Sequence, residues 1–325
     1  MKALLCEAYG PIETLQVREI PSPVPGPRQL LIQVKAAGVN FPDALMVQGR
    51  YQVKPALPFA PGAEIAGVVK AVGAEAKGFE VGDRVMALVS TGGFAQECLA
   101  DAARTMPLPG GMDFDTGAAL VLTYATSLHA LKDVGAVRPG ETLVVLGAAG
   151  GVGISAIEVG KAMGARVIAA ASTDEKLALC REVGADETIN YSTENLKDRI
   201  NALTGGKGAD LVYDPVGGSY TEQALRAIAW RGRLLVIGFA AGDIPKIPLN
   251  LALLKERQIL GVYWGDSTKH DPAGHLANLR QLEAWFVEGK IRPIVSERFP
   301  LERARDAIAL IANRGVKGKV VVVND

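Results

Sequence analysis

The chain has 325 residues, with 35 basic side chains against 35 acidic ones and 49% hydrophobic residues. That is enough apolar material for two domains, each with its own core. The even charge balance, with no basic run, leaves no electrostatic footprint for nucleic acid or an anionic membrane surface.

Met1 to Glu7 enter a strand-like pattern at once, without an apolar leader or spanning segment, so a cytoplasmic location is expected. From Lys2 to about Asp101, short Val/Ile/Leu-rich stretches alternate with turns such as Gly38-Val39-Asn40 and Gly82-Asp83-Arg84. This pattern predicts a small strand-rich barrel. The Pro21–Pro27 cluster runs straight into strand-like Leu30–Lys35, which makes it a rigid turn rather than a linker.

After Pro139-Gly140 the rhythm changes. Strands are predicted at 142–146, 166–171, 187–189, 210–213, 233–237 and 258–262, with helices at 152–163, 175–183, 194–203, 220–229 and 249–254 between them. Repeated strand–helix units imply a parallel, doubly wound sheet. The strand at 258–262 would be its outermost member, and pairing with a second copy would cover that edge, so a homodimer is expected. The tail predicts helices at 275–288 and 301–313 and a last strand at 319–323, returning to the first domain. The expected division is 1–121 with 264–325 for the barrel, and 122–263 for the inserted α/β domain.

Val144 to Val159 form the most informative stretch: a buried-type strand, a turn with glycines at 147, 150, 151 and 153, then a small-residue helix. Glycines allow the backbone to turn sharply and approach a phosphate, and a helix N-terminus favours the anion. Both G-x-G-x-x-A (Gly151, Gly153, Ala156) and G-x-x-G-x-x-G (Gly147, Gly150, Gly153) fit the string, so its register stays open. The strand-then-helix context favours a dinucleotide pyrophosphate over a tight turn that binds nothing. The next strand ends Ala169-Ala170-Ala171-Ser172-Thr173, with no carboxylate to bind ribose hydroxyls, which favours NADPH over NADH. Asp174 and Glu175 read as the cap and first turn of the following helix.

Gly38-Val39-Asn40-Phe41-Pro42-Asp43, Leu57 to Glu64, Gly82-Asp83-Arg84-Val85, the glycine turn and Gly261-Val262-Tyr263-Trp264-Gly265 occur in the order found in one family. The whole chain resembles the zinc-independent quinone oxidoreductase branch of the medium-chain dehydrogenases/reductases. The resemblance implies an α/β fold in which a Rossmann-type doubly wound parallel sheet domain is inserted in a GroES-like β-barrel catalytic domain. Where zinc-containing relatives carry Cys and His ligands, this chain has Asn40 and Ala63, and 117–122 contain neither residue type. The three widely spaced cysteines and the scattered His129, His270 and His275 offer no replacement, so no metal is expected. Pro42 stands where relatives relay an alcohol proton through a hydroxyl, which disfavours alcohol oxidation.

The resemblance also assigns roles. Gly147, Gly150, Gly151, Val152, Gly153 and Phe239 would contact the cofactor, and Ser172, Lys176, Tyr191 and Arg314 would receive its 2′-phosphate or adenosine end. Asn40 and Thr123 would orient the nicotinamide, and Tyr51 would donate a hydrogen bond to the acceptor. Tyr263 and Trp264 would wall the substrate pocket, while Asp43 reads as structural or ring-positioning. The expected activity is NADPH-dependent hydride transfer to a small-molecule quinone or enone. An enoyl-thioester reductase is the competing enzyme, and a non-catalytic NADPH-binding or redox-sensing protein is the competing class.

Overall fold

A computed structural model describing residues 1–324 divides the chain into two units, Met1–Leu122 with the segment from Pro293 onward, and Thr123–Arg292. In the first, β1 (Lys2–Leu5) and β2 (Gln16–Glu19) pair antiparallel. The main sheet is organised on β3 (Gln29–Val39), an eleven-residue strand buried at most positions. After it come α1 (Phe41–Val47), β4 (Glu64–Val72), β5 (Arg84–Leu88), β6 (Glu97–Asp101), β7 (Thr105–Pro107) and α2 (Phe114–Leu128), in which the division falls.

The two halves of β3 have different neighbours. Residues 29–33 pair with β6 and 36–39 pair with the last strand, Lys319–Val323, while β4 lies along the other side. In this register Glu64 stands opposite Gly38, and Val320 stands opposite Val39. Three segments far apart in sequence are thereby held side by side by ladder hydrogen bonds.

The second unit carries a six-stranded parallel sheet. Its elements are β8 (Thr142–Leu146), α3 (Gly151–Ala162), β9 (Arg166–Ala171), α4 (Asp174–Glu182), β10 (Glu187–Asn190), α5 (Leu196–Leu203), β11 (Ala209–Asp214), α6 (Gly218–Arg226), β12 (Ile228–Val236), α7 (Asn250–Leu253) and β13 (Gln258–Gly261). The strand order is β10-β9-β8-β11-β12-β13. Chain direction across the sheet reverses beside β8, and in sheets of this kind ligands bind at the carboxyl ends of the strands at that switch point. Val144, Leu146, Ile168 and Val212 lie in one continuous core, as expected of strands covered on both faces.

Several elements depart from the sequence reading. The helix expected at 220–229 ends at Arg226, and Ile228 already belongs to β12. Helices α1, α2 and α8 (Trp264–His270) and the strand Val295–Pro300 add to the elements that the sequence pattern predicts. Residues 264–292, read as part of the barrel, fall in the second unit. There α9 (Pro272–Val287) is fastened through Asn278, which accepts from Lys132 at 2.7 Å and donates to Asp133 at 2.7 Å. The Arg292 N–H donates to Glu158 at 3.0 Å. From Pro293 on, the chain does rejoin the first unit, where Val295–Pro300 pairs with Lys319–Val323. No helix among the described residues is long and apolar enough to cross a membrane.

Candidate active site

The glycine turn begins where β8 ends. Gly147 has φ of 58°, and a Cβ there would meet the Val216 methyl at 2.8 Å. Gly153 lies so close to the preceding turn that a Cβ would come within 2.5 Å of the Gly147 and Ala148 carbonyl oxygens. Gly150 is the extended N-cap of α3, with little around the position of its missing side chain. The first-turn N–H groups of Gly151, Val152 and Gly153 have no intrahelical acceptor by construction, the arrangement that receives a phosphate. The site therefore fits a dinucleotide.

Next to it, Ala148 donates to the Ala170 carbonyl at 3.1 Å, joining the turn to the end of β9. Tyr191 donates through its backbone to the Ala171 carbonyl at 3.1 Å, which brings it to the same strand end as Ser172. Thr173 caps α4 by accepting from the Lys176 N–H at 3.3 Å, and Asp174 accepts from the Asn190 side chain at 2.9 Å. Asp174 is thus engaged as a structural residue. The Tyr191 ring also packs on Tyr220, with centroids 4.4 Å apart.

One group on this edge was missed by the sequence reading. Asp214 ends β11 and accepts from the backbone of Val216 and Gly217, each at 2.9 Å, and from the Thr221 hydroxyl at 2.6 Å. Burial raises its carboxyl above the ordinary value, against those hydrogen bonds. It shapes the turn that puts Val216 against Gly147 and Gly217 under the Phe239 ring, so Phe239 lies one strand from the glycine turn. The strand-end signature Asp214-Pro215-Val216-Gly217-Gly218 was the available signal.

In the first unit, Asn40 stands at the N-cap position of α1, where its backbone carbonyl accepts from the Asp43 N–H at 3.0 Å, and it is 5% exposed. Its N–H donates to Asp43 at 2.8 Å, and Asp43 also accepts from the Gly62 N–H at 3.2 Å. The Asn40 Nδ2 donates to Glu64 Oε1 at 2.8 Å, while its Oδ1 accepts from the Lys319 ammonium at 2.7 Å. Lys319 also pairs with Glu64, and the second Glu64 oxygen accepts from the Leu122 N–H at 2.9 Å. Glu64 is fully buried and Lys319 is 4% exposed. A side chain at Gly38 would collide with the Glu64 carboxylate and the Ala118 carbonyl, which requires glycine there. Burial raises Asp43 to about 7, opposed by its two N–H donors and by Lys319.

The remaining candidates belong to both units. Tyr51 packs against the first unit's core, and Arg314 is exposed in that unit with φ of 57°. Thr123 is buried in the second unit, where its carbonyl accepts from the Ser155 hydroxyl of α3 at 3.0 Å. Tyr263 is half exposed at the start of α8, but Trp264 is buried with its ring edge-on to His275 at 5.6 Å, a packing contact. No group of three His, Cys, Asp or Glu able to hold a metal occurs among the described residues. Of the positions resembling zinc ligands, Ala63 has no ligating atom, 117–122 carry no Cys or His, and Asn40 is engaged by Glu64 and Lys319, so these residues do not fit a catalytic zinc, which needs three protein ligands.

Comparison with known proteins adds two family matches. Residues 26–131 match the alcohol dehydrogenase GroES-like domain, and 151–279 match the family described as zinc-binding dehydrogenase. The second range contains neither Asn40 nor Ala63. The quinone oxidoreductase-like protein 2 homolog of Nematostella vectensis is 39% identical over 91% of this chain and 82% of its own. A probable oxidoreductase from Mycobacterium abscessus is 37% identical and superposes with a TM-score of 0.90, covering 100% and 99% of the two chains. Escherichia coli quinone oxidoreductase, solved in complex with NADPH, is 27% identical with a TM-score of 0.93 over the full length of both chains.

The raised Asp43 carboxyl has a consequence for stability. It binds its proton more tightly folded than unfolded, so stability falls as pH rises from about 4 to about 7 and levels off above. Each such group contributes a slope of about 1.4 kcal/mol per pH unit in that window. Glu158, also raised to about 7 by burial, adds in the same direction. Asp43→Asn is expected to remove its share of the slope between pH 5 and 6.5 while Glu158 keeps the rest. Urea unfolding across that range measures it, and an unchanged slope would refute the assignment.

Proposed function

Because the chain belongs to the quinone oxidoreductase family of medium-chain dehydrogenases/reductases, we propose that it is a cytoplasmic, NADPH-dependent reductase acting on quinones or α,β-unsaturated carbonyl compounds without a metal. The observation that carries this reading is the Asn40–Glu64–Lys319 cluster, whose polar groups are committed to one another where zinc-dependent relatives bind their ion. Without a Lewis acid to activate an alcohol, reduction of an already polarised acceptor is the favoured chemistry. The first unit would serve as the catalytic domain and the second as the nucleotide-binding domain.

Bound NADPH supplies a hydride at nicotinamide C4. The N–H groups of Gly151, Val152 and Gly153 would hold the pyrophosphate, with Gly147 and Gly150 giving room and Phe239 alongside. Lys176 and Arg314 would supply charge, and Ser172 and Tyr191 hydroxyl donors, for the 2′-phosphate. Asn40 and Thr123 orient the nicotinamide, and Tyr51 donates to the acceptor oxygen as negative charge develops there, with the final proton drawn from water. Tyr263 flanks the acceptor, whereas Trp264 supports it from the packed side. Three buried free cysteines suit a reducing compartment.

The same reading includes a homodimer. β13 is an edge strand with Ile259 39% exposed, and exposed Trp230, Leu249, Leu253 and Leu254 lie on elements of the same unit. A second copy pairing along β13 continues the sheet and covers that edge. Sedimentation equilibrium is expected to give a dimer that Ile259→Lys weakens; a wild-type monomer at micromolar concentration contradicts it.

Two further measurements test the activity. Lys176→Ala is expected to raise the NADPH dissociation constant about tenfold, a loss of about 1.4 kcal/mol, and to leave that for NADH nearly unchanged. Equal losses would remove Lys176 from the phosphate site. Anaerobic NADPH consumption against quinones, enones, enoyl thioesters and alcohols is expected to show turnover with the first two classes. Turnover confined to enoyl thioesters would select the thioester reductase, and tight binding with no turnover would select a non-catalytic role.

A further inference from the structure

Burying the Lys319–Glu64 pair removes two charges from water, a desolvation cost that apolar side chains of similar volume would avoid. Stability alone therefore does not account for it. The three ammonium protons of Lys319 face Glu64 Oε1, Asn40 Oδ1 at 2.7 Å and the Val39 carbonyl at 3.5 Å. The Asn40 Nδ2 has one proton on Glu64 Oε1 and the other directed to the Gly38 carbonyl at 3.3 Å.

An ammonium cannot accept a hydrogen bond and a carboxylate cannot donate one. Held between the two, the Asn40 carboxamide has one orientation, with nitrogen toward Glu64 and oxygen toward Lys319. Both of its protons are used. What remains is a lone pair on Oδ1, so Asn40 can only accept from a further partner.

We propose that Lys319 and Glu64 form a positioning pair that locks Asn40 as an acceptor, so that the site selects a ligand group that donates a hydrogen bond over one that only accepts. The inference rests on the reading of Asn40 as a nicotinamide-side residue, and the selected group is then the carboxamide N–H of the cofactor. Neither residue of the pair needs to touch the ligand. Their effect passes through the orientation of one side chain.

Binding without an acceptor tests this, by tryptophan-fluorescence titration of the full chain with NADPH and with its reduced 3-acetylpyridine analogue, in which a methyl ketone replaces the carboxamide. The wild type is expected to prefer NADPH about tenfold, the worth of one buried hydrogen bond. Either charge alone still orients Asn40, so the double variant Lys319→Met with Glu64→Gln is expected to bring the ratio of dissociation constants close to one, whereas Lys319→Arg, which keeps the cation, retains most of it. A merely structural role would weaken both ligands equally and leave the ratio in place. A folded Lys319→Met/Glu64→Gln double variant with the wild-type ratio overturns the positioning pair if Asn40→Ala abolishes the preference. If Asn40→Ala retains it, or the wild type has none, the reading of Asn40 fails as well. Should the double variant not fold, Lys319→Gln with Glu64→Gln decides: its two amides accommodate either orientation of Asn40, so the ratio is expected to fall about threefold, and an unchanged ratio refutes the proposal.

Discussion

Lys319 reaches from the last strand to Glu64, at the start of β4, and the candidate catalytic region of the first unit is arranged around that contact. The two charges lie in a setting from which water is excluded, where each must be matched or be very costly. Matching them draws in the Asn40 side chain, the Val39 carbonyl and the Leu122 N–H. Gly38 is glycine because the carboxylate occupies the space a side chain would need. The cap of α1, the register of β3 with β4 and the position of the final strand thus share one electrostatic requirement.

Carboxylates fasten the second unit too, mostly by accepting backbone N–H groups at strand ends. Asp186 takes the Val167 N–H at 2.7 Å and the Lys161 ammonium, Asp210 takes the Thr142 N–H at 2.8 Å, and Asp214 closes the turn after β11. Their environments separate them electrically. The Lys161 and Val167 hydrogen bonds hold Asp186 below its ordinary value against desolvation, whereas burial prevails at Asp214 and raises it. Glu158, on the helix that leaves the glycine turn, accepts from the Tyr124 hydroxyl and the Arg292 N–H, so one carboxylate secures the residues at both ends of the second unit.

Legibility in the sequence followed the physics of each element. β8 and β9 could be read to the residue because strands buried on both faces appear as continuous apolar runs between turn residues. α2 escaped because its run Ala118-Ala119-Leu120-Val121 is apolar on successive residues and shows no helical stripe. Val295–Pro300 escaped because Ser296, Glu297 and Arg298 are exposed and interrupt any alternation. The glycine turn and the alanine end of β9 were visible as local motifs. The Lys319–Glu64 contact was not, since the partners are 255 residues apart and meet only through strand pairing.

The central claim of the proposed function is that reduction of the acceptor by NADPH needs no metal. Its most direct test is metal analysis of the purified protein together with anaerobic quinone reduction by NADPH before and after exhaustive chelation. The account predicts far less than one equivalent of bound transition metal per chain and an unchanged rate. Loss of turnover on chelation, restored by stoichiometric zinc, would contradict it.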